Sequence, residues 1–379
     1  MSEFKPIGGK IITKPFIFLG ILAIIAIYLI GKRFVFGIGA VTNLSDGYPW
    51  GMWIVYDVVT GTAIGCGGYA MAVLIYLFNK GKYHPLIRSA MLTSALGYSM
   101  AGLAIFLDVG RYYQLYTPFL PGYANVNSIL WEVSICMASY SLILWIEFSP
   151  TILEKLKANG LLRIVRKCLF FFIGMGILLP TMHQSSLGSV LIIAGHKVSP
   201  LWQTMFLPLL FLISAIVLGF GAVIVESMIS AVSFNRKLET PMLAKLSGIV
   251  PWLLGLFLVI RFADLLYRGQ IGLMFQGFMG FMFITESLLF IIPMVVLLSP
   301  ARRSQPNTLL IAGLCTVFAG VIYRFNAYLV GFHPAPGWHY FPSVQEIMVT
   351  VGIIAIEVLA YLVFVKLFPV LPTPKKKYA

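Results

Sequence analysis

The stretch "CLFFFIGMGILLPTMHQSSLGS", residues 168–189, begins with twelve residues that offer water almost nothing. It then changes character within a turn, to His183, Gln184, Ser185 and Ser186. Two readings compete. The plain one is a polar loop where an apolar helix ends; the sharper one is a pocket for the head group of a lipid-soluble ligand. Choosing between them requires the topology of the whole chain.

Working outward, the same apolar character fills the other 357 of the 379 residues. Hydrophobic residues make up 59%, charged residues 11% and aromatics 14%, and the mean hydropathy is +0.92. A soluble domain of this composition would lack the polar surface to cover itself, so the pattern is that of a multispanning membrane protein. About ten stretches reach the roughly 20 residues that a helix needs to cross hydrocarbon. They are 15–36, 49–78, 86–108, 124–148, 164–183, 200–230, 242–267, 272–299, 307–330 and 344–368. The first has no small-residue cleavage site and is read as an anchor, not a signal peptide.

Most Lys and Arg residues fall in alternate loops and in the two tails. They include Lys155, Lys157, Arg163, Arg166 and Lys167 before the fifth span, and Lys375, Lys376 and Lys377 at the carboxyl end. This asymmetry predicts that both termini face the cytoplasm. It places the His183 segment at the outer end of the fifth span. The net charge of +14 is explained by this signal and by attraction to anionic membrane lipid, so no nucleic-acid partner is expected.

Four isolated cysteines with no CxxC spacing argue against an iron–sulfur cluster in this chain. The five histidines all read as loop or helix-end residues, which leads to the expectation of no haem and no metal. Electrons would then have to come from a partner.

Two outer segments echo each other: "FLDVGRYYQLY" (106–116) and "RFADLLYRGQI" (261–271). Asp108 pairs with Asp264 at nearly the offset that relates Glu132 to Glu286. The expected architecture is all-α and polytopic, with two four-helix bundles (49–183 and 200–330) related by a parallel repeat. One flanking helix (15–36 and 344–368) stands at each end, all within a single membrane domain, 1–379.

Ionisable residues inside apolar spans are costly and face the bundle interior. The i,i+3 spacing of Asp108 with Arg111, and of Arg261 with Asp264, favours structural ion pairs, and Arg324 is a further tuning cation. Glu132, Glu226, Glu286 and Glu357 have no basic residue nearby in sequence, as suits a proton path. The glycines of "GTAIGCGG" read as helix packing.

"NLSDGYPWGMWIVYD", "GKYHPLIR", "DVGRYY", "NVNSILWEVSICM", "LLPTMHQSSLGS" and "YFPSVQEI" together resemble the NrfD, or polysulfide-reductase, family of membrane subunits. The likeness is to those of hydrogenase-2-type respiratory nickel–iron hydrogenases, and runs from "PIGGKIITKP" to "LFPVLP". The resemblance implies a haem-free subunit that reduces a quinone (menaquinone or ubiquinone) as part of a hydrogen:quinone oxidoreductase. Its partners would be a periplasmic iron–sulfur electron-transfer subunit and the hydrogenase small and large subunits. On this reading His183, ordered by Gln184, Ser185 or Ser186, donates to a quinone carbonyl, and Trp50 and Asp57 line the opposite side. A secondary transporter is the rival reading, and a passive anchor without a quinone site is a third.

Overall fold

The computed structural model describes residues 3–373, so Lys375, Lys376 and Lys377 of the basic tail lie outside the described residues. Among the described residues nine helical segments are long and apolar enough to cross a membrane: α1 (Lys14–Phe36), α2 (Trp53–Leu77), α3 (Gly81–Asp108), α4 (Ile129–Leu156), α6 (Leu207–Ser233), α7 (Thr240–Tyr267), α8 (Gly277–Leu298), α9 (Pro306–Val330) and α10 (Val344–Leu367). Between α4 and α6 runs α5 (Asn159–Ala194), the fifth expected span and, at 36 residues, the longest helix. The protein is therefore an all-helical polytopic membrane protein of about ten helices. Among the described residues its strand pairing is a two-residue ladder, β1 (Glu3–Phe4) against β2 (Pro372–Thr373), and one isolated antiparallel bridge between Val198 and Phe332.

The helices form for the reason the sequence gives: apolar runs must satisfy their own backbone groups where no water can. Their irregularities are local. Pro150, Pro180 and Pro293 sit inside α4, α5 and α8. In α2 the first two turns, Trp53–Thr60, are π-helical, as is the last, Val73–Leu77; α9 ends the same way over Asn326–Val330. The Thr60 hydroxyl donates to the Val55 carbonyl at 2.8 Å, the same five-residue offset as the backbone around it.

By its contacts the chain forms two compact units. The first comprises the segments up to Thr62, Met91–Met175 and from Pro334 onward; the second comprises Ala63–Ala90 and Gly176–His333. Within the first unit α1 lies along α10, with Gly352 seated against Ala26 so closely that a Cβ would collide. Arg33, buried near the end of α1, donates to the carbonyls of Leu107 at 2.7 Å and Val109 at 2.6 Å, which closes the orphaned end of α3. In the second unit the glycine stretch behaves as expected of packing. A Cβ on Gly219 of α6 would lie 2.5 Å from the Cys66 carbonyl oxygen, so α2 and α6 touch backbone to backbone.

Candidate functional site

The α5 cluster is not where a helix runs out. Asn159–Ala194 is helical throughout, so His183 lies well inside it, and the expectation of a loop or helix-end histidine is corrected. The physical reason lies in the hydroxyls. Thr181 donates to Ile177 O at 2.7 Å, Ser185 to Thr181 O and Met182 O at 2.9 Å each, and Ser189 to Ser185 O at 3.3 Å. Polar side chains that fold back on their own helix's carbonyls need no loop. Pro180 is accommodated in the same run, as spans tolerate when neighbouring hydroxyls and helices re-satisfy the backbone.

His183, Gln184 and Ser186 are all buried, and Tyr69 of α2 closes on this turn, its hydroxyl 2.8 Å from that of Thr181. Tyr328 donates to the Leu187 carbonyl at 2.6 Å. The second unit thus holds an imidazole, a carboxamide and several hydroxyls inside an apolar body.

The same unit contains a charged hub. Glu286 of α8, fully buried, forms an ion pair with Arg261 of α7 through its Oε1. Its Oε2 accepts from the Trp202 indole at 3.0 Å and from the Asn326 amide at 2.7 Å. Arg261 also lies over the ring of Phe283, 4.2 Å from its centroid. Glu286 is therefore no solitary carboxyl, and its partner comes from 25 residues away. The expected Arg261–Asp264 pair does not form. Asp264 instead meets Arg268, one turn on, at 2.6 Å. Arg324, also buried, donates to Phe211 O at 3.0 Å and to the Ser214 hydroxyl at 3.2 Å, which holds α9 to α6. Glu226 is half-buried on α6.

In the first unit Asp57 is buried in the π-helical start of α2 and accepts from Thr350 of α10 at 2.9 Å. Glu357, two turns further along α10, and Tyr56 lie close enough to interact with it electrostatically. Trp50 is half-buried just ahead of α2. Trp50 and Asp57 belong to the first unit and His183–Ser186 to the second. Asp108 and Arg111 do not pair: Arg111 is exposed, and the cation whose charge Asp108 feels is Arg33. Glu132 stands in the first turn of α4, which begins at Ile129, not 124. It is thus nearer the helix end than expected, at a position where a carboxylate complements the helix dipole.

One residue the sequence reading missed organises this unit. Glu346, fully buried at the start of α10, forms a capping box with Ser343. Its Oε1 accepts from Met52 N at 3.2 Å and from the Tyr340 hydroxyl, and its Oε2 from Asn43 N at 3.3 Å. Trp53 donates to its carbonyl at 3.1 Å. The "SVQE" pattern, a serine three residues before a glutamate and just ahead of an apolar run, was the available signal.

The chain is similar over most of its length to several known membrane subunits. It is 44% identical over 376 residues, 98% of this chain and 96% of the relative, to the probable Ni/Fe-hydrogenase 2 b-type cytochrome subunit of Escherichia coli. It is 28% identical over 367 residues, 89% of this chain and 86% of the relative, to the menaquinone reductase integral membrane subunit of Nitratidesulfovibrio vulgaris. A third, the Hdr-like menaquinol oxidoreductase integral membrane subunit of Archaeoglobus fulgidus, is 25% identical over 98% of this chain and 97% of its own length.

The first of these names corrects one expectation. A b-type cytochrome is a haem protein, so the inference of a haem-free chain is overturned by that relative. The histidines of this chain do not supply the facing imidazole pair of a bis-histidine site. Among the described residues His183 alone lies deep within a helix; His84 opens a helical turn, and His196, His333 and His339 lie between helices. The family model described as "Polysulphide reductase, NrfD" matches residues 40–331, and with it the chain belongs to the NrfD family of membrane proteins.

Proposed function

We propose that this protein is the quinone-reactive membrane subunit of a hydrogen:quinone oxidoreductase in the bacterial inner membrane. Electrons reach it from a periplasmic iron–sulfur subunit, fed by the hydrogenase small and large subunits. The observation that carries this reading is likeness over nearly the whole chain to both a hydrogenase-2 membrane subunit and a menaquinone reductase membrane subunit. Both termini face the cytoplasm, following the Lys and Arg asymmetry. The repeat of 49–183 in 200–330 is part of the same proposal.

Reducing a quinone to the quinol takes two electrons and two protons. In this reading His183 donates to a head-group carbonyl, with Gln184 and Ser186 beside it in the same dry helix turn. Asp57 and Glu357 form a pair of neighbouring carboxyls without a cation between them, suited to holding and passing a proton. Glu132 and Glu226 extend the route towards either face. Glu286 serves by fixing α7, α8 and α9 around the cluster, since its oxygens are occupied by three donors.

The test compares two activities of the assembled complex carrying His183→Ala. Hydrogen oxidation with a soluble dye should stay at the wild-type rate, while quinone reduction falls at least about five-fold, the effect of one lost hydrogen bond to a buried polar group. Equal quinone kinetics in the variant would remove His183 from the site.

A further inference from the structure

The cationic start of α5 takes no part in the chemistry above. A depression of about 410 Å³ there is lined by Asn159, Leu162, Arg163, Arg166 and Lys167. Positions 159, 163, 166, 167 and 170 fall on one stripe of the helix, so the cations stand in line with Phe170. Arg166 is paired with Glu154 at 3.0 Å, whereas Arg163 and Lys167 are exposed and make no ion pair among the described residues. With Glu154 counted, the depression keeps two net positive charges.

Its depth follows from helix length. The 36 residues of α5 extend about 54 Å, against roughly 30 Å of hydrocarbon, so several turns must project into the head-group layers. The basic turns occupy one such end. Phe170 and Phe171, 89% and 64% exposed, follow directly on the side that enters hydrocarbon.

We propose that this depression binds an anionic phospholipid whose head group carries two phosphates, its acyl chains lying along Phe170 and Phe171. Two net charges match two phosphates, and Arg163 presents the planar donor fork that suits a phosphate's oxygens. The apolar continuation favours a lipid over a soluble anion, which would gain nothing from it.

The test uses the full chain in its complex, extracted from membranes containing diphosphatidylglycerol and phosphatidylglycerol, with bound lipid identified by native mass spectrometry. Affinity for diphosphatidylglycerol is then measured by titration. Wild type should retain diphosphatidylglycerol in preference to phosphatidylglycerol, and the double variant R163Q/K167Q should bind it about 30-fold more weakly, the effect of two basic residues at an anionic surface. The control K80Q/K82Q, which removes cations from another loop, should bind as wild type. If the double variant fails to assemble, Arg163→Gln and Lys167→Gln taken singly should each weaken binding about five-fold. The proposal is overturned by unchanged affinity in these variants, by equal retention of phosphatidylglycerol, or by displacement of the lipid with excess inorganic phosphate.

Discussion

Glu346 in the first unit and Glu286 in the second are both fully buried carboxyls, yet they are held in opposite ways. Around Glu346 the donors are neutral: the backbone amides of Asn43, Met52 and Ser343, and the Tyr340 hydroxyl. They belong to loops and helix ends, so the carboxyl acts as a cap that ties the start of α10 to the start of α2. Around Glu286 the donors are side chains from separate elements, and one is the guanidinium of Arg261. The first arrangement spreads its dependence over several backbone groups. The second concentrates it in one ion pair, whose loss strands a buried cation. Asp57 is a third case, with a single hydrogen bond from Thr350 and another carboxyl nearby. A group so lightly held contributes little to the fold.

The sharpest way to break this comparison is Glu286→Gln. Leaving Arg261 buried without its counter-charge should destabilise the protein by about 3–5 kcal/mol. The double change Arg261→Met with Glu286→Leu should recover only part of that loss: it removes the stranded cation but leaves the Trp202 indole and the Asn326 amide without this acceptor. Thermal unfolding of the detergent-solubilised complex measures both, and a loss under about 1 kcal/mol in the single variant would end the contrast.

Glu346→Gln should cost less, about 1–3 kcal/mol, since one oxygen still accepts while the new amide faces donors it cannot serve. The same unfolding measurement ranks it against Glu286→Gln; a larger loss than at Glu286 would reverse the order argued here. Asp57→Asn should change stability by no more than about 1 kcal/mol, the scale of one hydrogen bond. Its effect should appear as slower quinone reduction with dye-linked hydrogen oxidation intact. Wild-type quinone turnover in this variant would return Asp57 to a purely structural role.

The smallest effect concerns pH. Burial, together with the Glu346 carboxylate, raises the Tyr340 phenol above its ordinary value. A raised phenol favours folding fully below the free value of about 10 and loses that contribution as pH climbs towards the folded one. Tyr340→Phe should therefore lower stability by about 1 kcal/mol at neutral pH. It should also make the decline between about pH 9 and 11 shallower than in wild type. Parallel alkaline limbs in the two proteins would show that Tyr340 does not titrate with unfolding.

The spans were legible because hydropathy alone decides which segments leave water, and all ten expected stretches correspond to helices. Less legible was anything that depends on partner choice. Arg261 stands three residues from Asp264, and local spacing favours that pair, but packing of α7 on α8 brings Glu286 to it instead. His183 looked terminal because polar residues usually end an apolar run; hydroxyls returning to their own helix's carbonyls are invisible to composition. Arg33 carried a signal that went unread. It lies in "GKR" at the end of the first span opposite the basic loops, where a cation needs a specific reason to be. Trp50 and Asp57 were set beside His183 by chemistry alone, and they fall in a different compact unit from it.

The π-helical turns of α2 and α9 have a consequence for anyone comparing relatives of this protein position by position. Each wide turn holds one residue more than an α-helical turn does. Beyond such a turn, every side chain is displaced by about 100° from where a 3.6-residue wheel would draw it. Asp57 lies within one such segment and Asn326 opens another. A relative that lacks one residue between Trp53 and Thr60 could relax that stretch to an ordinary helix, at the price of turning its carboxyl to a different face. Single-residue gaps in these two stretches therefore carry more information about the site than substitutions do, and a sequence aligned without them would pair residues that never share a surface.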